Sequence, residues 1–326
     1  MKVSVAVVTY NHEKYISRAV ESALMQEADF DYEIVVGEDC STDRTRDILI
    51  ELQRRNPDRV RLLLHERNGG DGGKRNFVET YRAFRGEYIA LLDGDDYWTS
   101  PHKLRRQVEF LDGHREYSEC FHNVLLCHED GSEPPRELYP RGQKELSTVE
   151  DLLKGNNISS CSVMFRRGLF GELPAWFTDL EVGDWPLHIL NAERGPVGYL
   201  DELMAVYRFH GGGTWVSRDY PQRLKLMMKT LEVINRHFNY RYQGIIRATV
   251  SDYCYELATI YEHEGNVAEA RAYTRRCVIG RIRSRRVPEN YLLVSLLRLY
   301  APNLYKPLRG LSRFLRKGSS VAHRAV

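Results

Sequence analysis

An apolar run from Tyr88 to Leu92 ends in Asp93-Gly94-Asp95-Asp96-Tyr97-Trp98. Carboxylates packed this closely repel one another unless a cation lies between them, and Mg2+ or Mn2+ is the usual solution. Such an ion commonly carries a diphosphate. Asp and Gly are also ordinary turn residues, so an acidic turn is the competing explanation.

Three further clusters bear on the choice: Thr9-Tyr10-Asn11, Glu38-Asp39-Cys40-Ser41-Thr42-Asp43, and Asn68 to Asn76 with its run of glycines and Lys74-Arg75. Asp39, as an acceptor of hydrogen bonds only, suits the N–H edge of a base such as uracil. Ser41 and Thr42 also suit a helix cap. Glycines 69–70 and 72–73 allow backbone to approach phosphate closely, with Lys74 and Arg75 adding positive charge. No G-x-G-x-x-G or G-K-[ST] motif is present, so the dinucleotide and P-loop readings find no support.

Each cluster follows a short β-type run: Val3–Val8, Glu33–Val36, Val60–Leu64 and Tyr88–Leu92. Between them apolar residues recur at helical spacing (Ile16 to Leu24, Ile48 to Leu52, Phe77 to Phe84), and a helix is expected from Pro101 to about Leu111. Cys120–Cys127 reads as a fifth strand. Such alternation predicts an α/β fold with a mainly parallel sheet between helices. Ligands in open α/β sheets lie beyond the strands' C-terminal ends, so the clusters converge on one edge.

Residues 129–142 read as a polar, Pro-rich loop, and 148–215 as a mixture of short helices and strands. From about Tyr220 the periodicity is helical. Glu264-Gly265-Asn266 and the alanines after it resemble one tetratricopeptide unit, with no second copy. This segment is read as a helical hairpin packing on the catalytic body.

The 326 residues carry a net charge of +2 that hides an asymmetry: residues 271–326 hold 14 Lys and Arg against Glu289 alone. An acidic body thus precedes a basic tail. Six cysteines without a C-x-x-C pair argue against zinc or a disulfide framework. With neither a signal-peptide pattern nor an apolar stretch of membrane-span length, the expectation is a cytoplasmic protein. The apolar stretch Tyr291 to Tyr300 and the bases after it suit either packing on the body or a peripheral place on an anionic membrane at the inner face. No nucleic-acid partner is expected.

Taken together, Thr9-Tyr10-Asn11, Glu38 to Asp43 and Gly94 to Trp98 resemble the family 2 glycosyltransferases of the GT-A fold. Gly37–Asp43, Asp93–Pro101, Cys120–Asn123, Asp184–Pro186 and Tyr207–Trp215 are similar to bacterial members that build cell-surface polysaccharides. The resemblance implies a Rossmann-like mixed sheet in a catalytic domain over residues 1–216. Its nucleotide-sugar half would be about 1–127 and its acceptor half 128–216, with a helical region at 217–326. It implies a nucleotide-diphosphate sugar donor with UDP as the expected carrier, Mn2+ or Mg2+, a glycan or lipid-linked acceptor, and inversion at the anomeric carbon.

By motif position, Asp39 would bind the base, Asp93 the ribose or metal, and Asp95 the metal and diphosphate. Thr9, Tyr10, Asn11, Glu38, Lys74, Asn76 and Gly94 would line the nucleotide-sugar site. Glu38 stands where many members have Asp. Asp184 takes the general base's position, with Asp179, Glu181 and Asp201 as competitors and a helix N-cap as its structural alternative. His210 would complete the metal shell, and Ser160, Ser162 and Trp185 would touch the acceptor. His122 and Asn123 read as a satisfied core pair.

Two other functions remain open from sequence. A nucleotidyltransferase shares the topology but usually has a glycine-rich signature after its first strand, where Thr9-Tyr10-Asn11 stands here. A non-catalytic binding module would be expected to lose carboxylates that this chain keeps.

Overall fold

Strands β1 (Val3–Thr9), β2 (Tyr32–Glu38), β3 (Val60–Leu64) and β4 (Tyr88–Asp93) alternate with helices α1 (Ile16–Leu24), α2 (Thr45–Arg55) and α3 (Lys74–Ala83). The structure is a computed structural model that describes residues 1–70, 72–139, 142–213, 215, 217–284 and 290–301. After β4 come β5 (Tyr97–Trp98), α4 (Lys103–Gly113), β6 (Glu119–His128), β7 (Arg136–Glu137), β8 (Leu146–Ser147) and α5 (Val149–Leu152). Then follow β9 (Met164–Arg166), α6 (Asp184–Ala192) and β10 (Val197–Phe209), with short 3-10 turns at Ser160–Ser162 and Ala175–Asp179.

One sheet runs in the order β3-β2-β1-β4-β9-β6-β10-β5, with β7 beside β6 and β8 beside β10. The pairs β3–β2, β2–β1, β1–β4 and β6–β10 are parallel. β9 is antiparallel to both β4 and β6, so three residues splice two parallel halves into one mixed sheet. Helices cover both faces of the inner strands. That is why β1, β2 and β4 are nearly continuous apolar runs rather than alternating ones. β3, at the edge, is only partly buried. The core joins Val5, Val7, Ile34, Val36, Ala90 and Leu92 to Ile16, Val20, Leu49, Leu104 and Val108 from the helices.

The described chain forms two compact units: residues 1–152 with 158–217, and residues 153–157 with the chain from 218 onward. The second unit consists mainly of α7 (Tyr220–His237), α8 (Gln243–His263), α9 (Val267–Arg283) and α10 (Asn290–Tyr300). Asp219 caps α7 through Gln222 N, and Asn266 caps α9 through Glu269 N. Gly265, at φ +78, makes the turn between α8 and α9. Leu292 and Leu299 of α10 are buried and Arg298 pairs with Glu262, so this apolar helix packs within its unit. Leu292 and Leu299 are thereby engaged in packing inside that unit. The bases beyond Ala301 lie outside the described residues. No described helix is long and apolar enough to cross a membrane.

Candidate active site at the strand C-termini

The register of β1 places Thr9 beside Glu38 and Val8 beside Asp93, so the loops after β1, β2 and β4 meet at one edge. Gly94 permits the meeting. A Cβ there would stand 2.6–2.8 Å from Thr9 Oγ1, Thr9 Cβ and His12 Nδ1.

Asp95 is the centre of this edge. Its Oδ2 lies 2.9 Å from His210 Nε2 and 3.8 Å from His12 Nε2. Burial opposes ionisation of Asp95, but the hydrogen bond to His210 and the nearby His12 outweigh it and hold the carboxyl below its ordinary range. The same hydrogen bond raises the His210 pKa, whereas burial lowers that of His12. Asp93 behaves oppositely: burial, Asp95 and Asp184 push its carboxyl up to about 7, against a hydrogen bond with Ser160. Asp96 turns inward, 1% exposed, where its Oδ1 accepts the Arg208 N–H at 2.8 Å. Burial, then Asp95 and Asp93, raise its pKa well above the usual value.

The donor chemistry fits a divalent cation. Carboxylate oxygens with an imidazole suit Mn2+ or Mg2+, and the raised Asp93 marks a site short of positive charge. Asp95 and His210 bond to each other here. Among the described residues, no three of His, Cys, Asp and Glu surround a common ion position.

Asp39 accepts from Gly69 N at 3.0 Å and Asn68 Nδ2 at 3.1 Å, so it holds the start of the glycine-rich loop against β2. Tyr10, directly after β1, is 40% exposed. Lys74, buried at the start of α3, lays its stem along Gly183: a Cβ on that glycine would meet Lys74 Cγ at 3.6 Å. The end of the glycine-rich loop thus touches the start of α6. Asp184 is the first residue of α6, and Gly183 occupies the N-cap position with no side-chain cap bond. Asp184 therefore does not act as the cap. Its charge is felt at Asp93, His188 and Tyr207. Of its competitors, Asp179 and Glu181 are exposed, and Asp201 accepts from Tyr199 Oη.

Several expected contacts fall elsewhere. Glu38 is fully buried and its carboxylate closes on Arg46 and Ser41 N, so it shapes the loop instead of facing a nucleotide. Asn11, at φ +56, donates its N–H to Ser41 Oγ and accepts Thr42 N at 2.8 Å, tying two loops together. Asn76 lies behind the edge: its amide donates to Gly37 O and its Oδ1 stands 3.0 Å from His65 Nε2. A Cβ at Gly37 would strike Asn76 Oδ1 at 2.1 Å, so glycine is needed there. Trp185 is a core residue, 0% exposed and donating to Leu152 O, and Ser162 is buried against Ser159 O. Burial removes both from acceptor contact. Ser160 bonds Asp93 instead. His122 and Asn123 are both buried, but the pair is satisfied only in part: Asn123 is engaged by Glu137, Tyr139 and Val124, whereas His122 Nε2 has no hydrogen-bond partner among the described residues.

Two side chains that the motifs do not single out join the edge, His12 and Arg208. His12 directly follows Thr9-Tyr10-Asn11, and its Nδ1 stands 3.1 Å from Thr9 Oγ1. Arg208 donates from Nη1 to the Asp95 carbonyl at 2.6 Å, with its guanidinium between the rings of Tyr97 and Tyr15. It ties β10 to the acidic turn after β4. Arg208 lies within the quoted Tyr207–Trp215 stretch, but its partners come from distant segments.

A mixed sheet of this order, with its loops meeting at such an edge, is GT-A-like, and the comparisons agree. The family model described as "Glycosyl transferase family 2" matches residues 4–173, and the chain belongs to that family. An uncharacterized protein of Mycobacterium tuberculosis is 39% identical over 223 residues, 68% of this chain and 62% of that one. The chain thus spans under two thirds of that relative's length. An uncharacterized glycosyltransferase of Nostoc sp. is 44% identical over 224 residues, 67% of each chain. TuaG of Bacillus subtilis, named for teichuronic acid biosynthesis, is 32% identical over 63% of this chain and 78% of its own.

Among solved structures, S. aureus TarS 1-349 in complex with UDP-GlcNAc superposes with a TM-score of 0.56 at 20% identity, covering 84% of this chain and 90% of that one. The mannosyltransferase PcManGT of Pyrobaculum calidifontis, in complex with GDP-Man and Mn2+, gives 0.55 at 18% identity, covering 97% and 84%. At these identities the likeness speaks for the fold.

Proposed function

We propose that this protein is a metal-dependent, inverting glycosyltransferase. It would move a sugar from a nucleotide-diphosphate donor, with UDP as carrier, to a glycan or lipid-linked acceptor in surface-polysaccharide synthesis. The observation that carries the reading is the convergence of Asp39, Asp93, Asp95, Asp184 and His210 on one sheet edge, where the Asp93 carboxyl is driven up to about 7. The teichuronic acid biosynthesis for which TuaG is named and the UDP-GlcNAc held by TarS support it.

In this reading residues 1–216 are the catalytic domain and residues 217–326 a helical appendage. Asp39 meets the base at the mouth of the glycine-rich loop, while Lys74 and the backbone of that loop face the diphosphate. Asp93, Asp95 and His210 would hold Mn2+ or Mg2+, whose charge offsets that of the departing diphosphate. Asp184 takes the proton of the acceptor hydroxyl. The acceptor oxygen bonds to the anomeric carbon as the bond from that carbon to the diphosphate oxygen breaks on the opposite face, and the configuration inverts. Arg208 keeps the Asp95 main chain in place.

The test is release of nucleoside diphosphate from UDP-, GDP- and dTDP-sugars, with and without Mn2+ and with candidate acceptors. Acceptor-dependent, metal-dependent release is expected. Pyrophosphate exchange with a nucleoside triphosphate would instead make the protein a nucleotidyltransferase, and donor binding without turnover would make it a binding module.

The charge asymmetry supports a peripheral place for the protein at the inner face of the membrane, through the basic tail. Full-length protein should bind anionic vesicles in a salt-sensitive way, and truncation near Pro288 should remove that binding. Equal binding by both forms would exclude the tail.

A further inference from the structure

Tyr15 stands at the edge without a place in the scheme above. It occupies the N-cap position of α1, where Ser, Thr, Asp or Asn is favoured, and its side chain makes no cap bond. Capping therefore does not explain a tyrosine there. Its hydroxyl instead donates to Glu129, the first residue after β6, whose own N–H is tied to Phe209 O of β10 at 3.0 Å. Its ring lies 4.8 Å from the His210 ring, centre to centre, at an angle of 46°. The Arg208 guanidinium packs on the Tyr15 ring at 5.1 Å, and the His12 ring meets it edge-on at 6.3 Å.

His210 needs such a neighbour. It follows the last residue of β10 and precedes Gly211-Gly212-Gly213, so the chain beyond it offers little backbone restraint. The hydrogen bond between Nε2 and Asp95 Oδ2, at 2.9 Å, fixes one point of the imidazole but not the plane of the ring. Gly212 supplies one wall, since a Cβ there would stand 3.3 Å from His210 Nδ1. The Tyr15 ring supplies another, and Glu129 and Arg208 hold that wall in place. Between them His210 is only 8% exposed.

We propose that Tyr15 is a positioning residue for His210: tethered by Glu129, its ring sets the plane in which the imidazole meets the edge. The inference rests on His210 as a ligand of Mn2+ or Mg2+. An imidazole ligand must aim its nitrogen lone pair at the ion, and the groups packed around a ligand fix that direction. Tyr15 itself touches neither donor nor ion in this role. It acts only through His210.

The experiment compares full-length Tyr15→Ala, Tyr15→Leu, Tyr15→Phe, His210→Ala and Tyr15→Ala/His210→Ala. Folding is checked by circular dichroism and thermal melting, and Mn2+ affinity is measured by calorimetry with UDP at saturation. Tyr15→Ala and Tyr15→Leu should weaken Mn2+ binding about 10- to 100-fold, the scale of losing a group that orients a ligand. The leucine variant fills most of the space without a flat face, so it guards against an alanine variant that fails to fold. Tyr15→Phe keeps the ring and loses only the tether. It should restore most of the affinity, to within about fivefold of wild type, the scale of one hydrogen bond. In the His210→Ala background, Tyr15→Ala should cost nothing further.

Wild-type Mn2+ affinity in a folded Tyr15→Ala or Tyr15→Leu protein, with His210→Ala weakened, overturns the positioning role and leaves the ligand standing. An equal proportional loss with and without His210 also overturns it, since Tyr15 would then act through Arg208 or on the fold at large. Unchanged Mn2+ affinity in His210→Ala removes the ligand, and the role of Tyr15 with it.

Discussion

The two ends of the central sheet are both rich in charge, yet they treat it in opposite ways. At the N-terminal end Lys2 Nζ stands 3.0 Å from Glu87 and 3.0 Å from Asp112, Tyr88 Oη donates to Asp112, and Arg166 donates to Tyr88 Oη. Glu33 is likewise held by Ser4, Arg61 and the Arg85 N–H. Despite some burial, these partners keep Asp112 and Glu33 below the ordinary carboxylate range. At the C-terminal end Asp93 and Asp96 are pushed upward. A charge cluster by itself therefore says little about function. What separates structure from chemistry is whether each charge finds its counter-charge inside the protein, and only the C-terminal edge is left with a deficit for a ligand to fill.

The largest effect should come from Asp95→Ala. It removes the carboxylate on which His12 and His210 converge, and no neighbour can replace it because Asp96 is turned inward. Transfer should be abolished with the fold intact. More than a tenth of wild-type activity would dissolve the contrast between the two ends. Asp184→Asn comes next, with turnover down by about 10²–10⁴ and donor affinity nearly unchanged. Loss of donor binding instead would move Asp184 into the nucleotide or metal site.

A third case sits between the two ends. Lys103 is fully buried, and among the described residues no carboxylate pairs with it. It donates to Gln107 Oε1 at 2.6 Å and stands 4.1 Å from the centre of the Trp98 ring. Burial pushes its pKa down to about 7 from the usual 10.5. Between those values the unfolded chain holds the extra proton, so stability rises with pH across that window, and the full cost is present below it. Lys103→Met should therefore stabilise the protein by about 1–3 kcal/mol at pH 6, and by less at pH 9.5. Thermal melts at the two pH values decide it; a gain that grows with pH would contradict the assignment.

What the sequence revealed follows from how local each signal is. The acidic turn, the strand ends before it and the place of Asp39 at one of them were legible because the whole message lies within a few consecutive residues. β9 was not, since three residues carry no period and their role depends on pairing with β4 and β6 at once. β7, inside the segment read as a loop, escapes for the same reason. His12 and Arg208 reach Asp95 from distant positions, and no spacing rule connects them to it. Trp185 and Ser162 erred the other way: residue type suggested a surface contact, but burial is a property of packing.

The smallest effect belongs to the balanced end. Lys2→Ala removes two ion pairs between side chains that water reaches, and a cation–π contact 4.9 Å from the centre of the buried Tyr88 ring. Exposed pairs of this kind contribute about 0–1 kcal/mol and are weakened by salt. Tyr88 and Arg166 would still hold Asp112 and the start of β4 in register. The variant should therefore melt slightly lower than wild type, by an amount that shrinks as salt is added, and transfer should stay within about twofold because no charge at the opposite edge changes. A tenfold loss of activity with unchanged stability would mean that the two ends are coupled and that neutralised charge is no mark of a purely structural cluster.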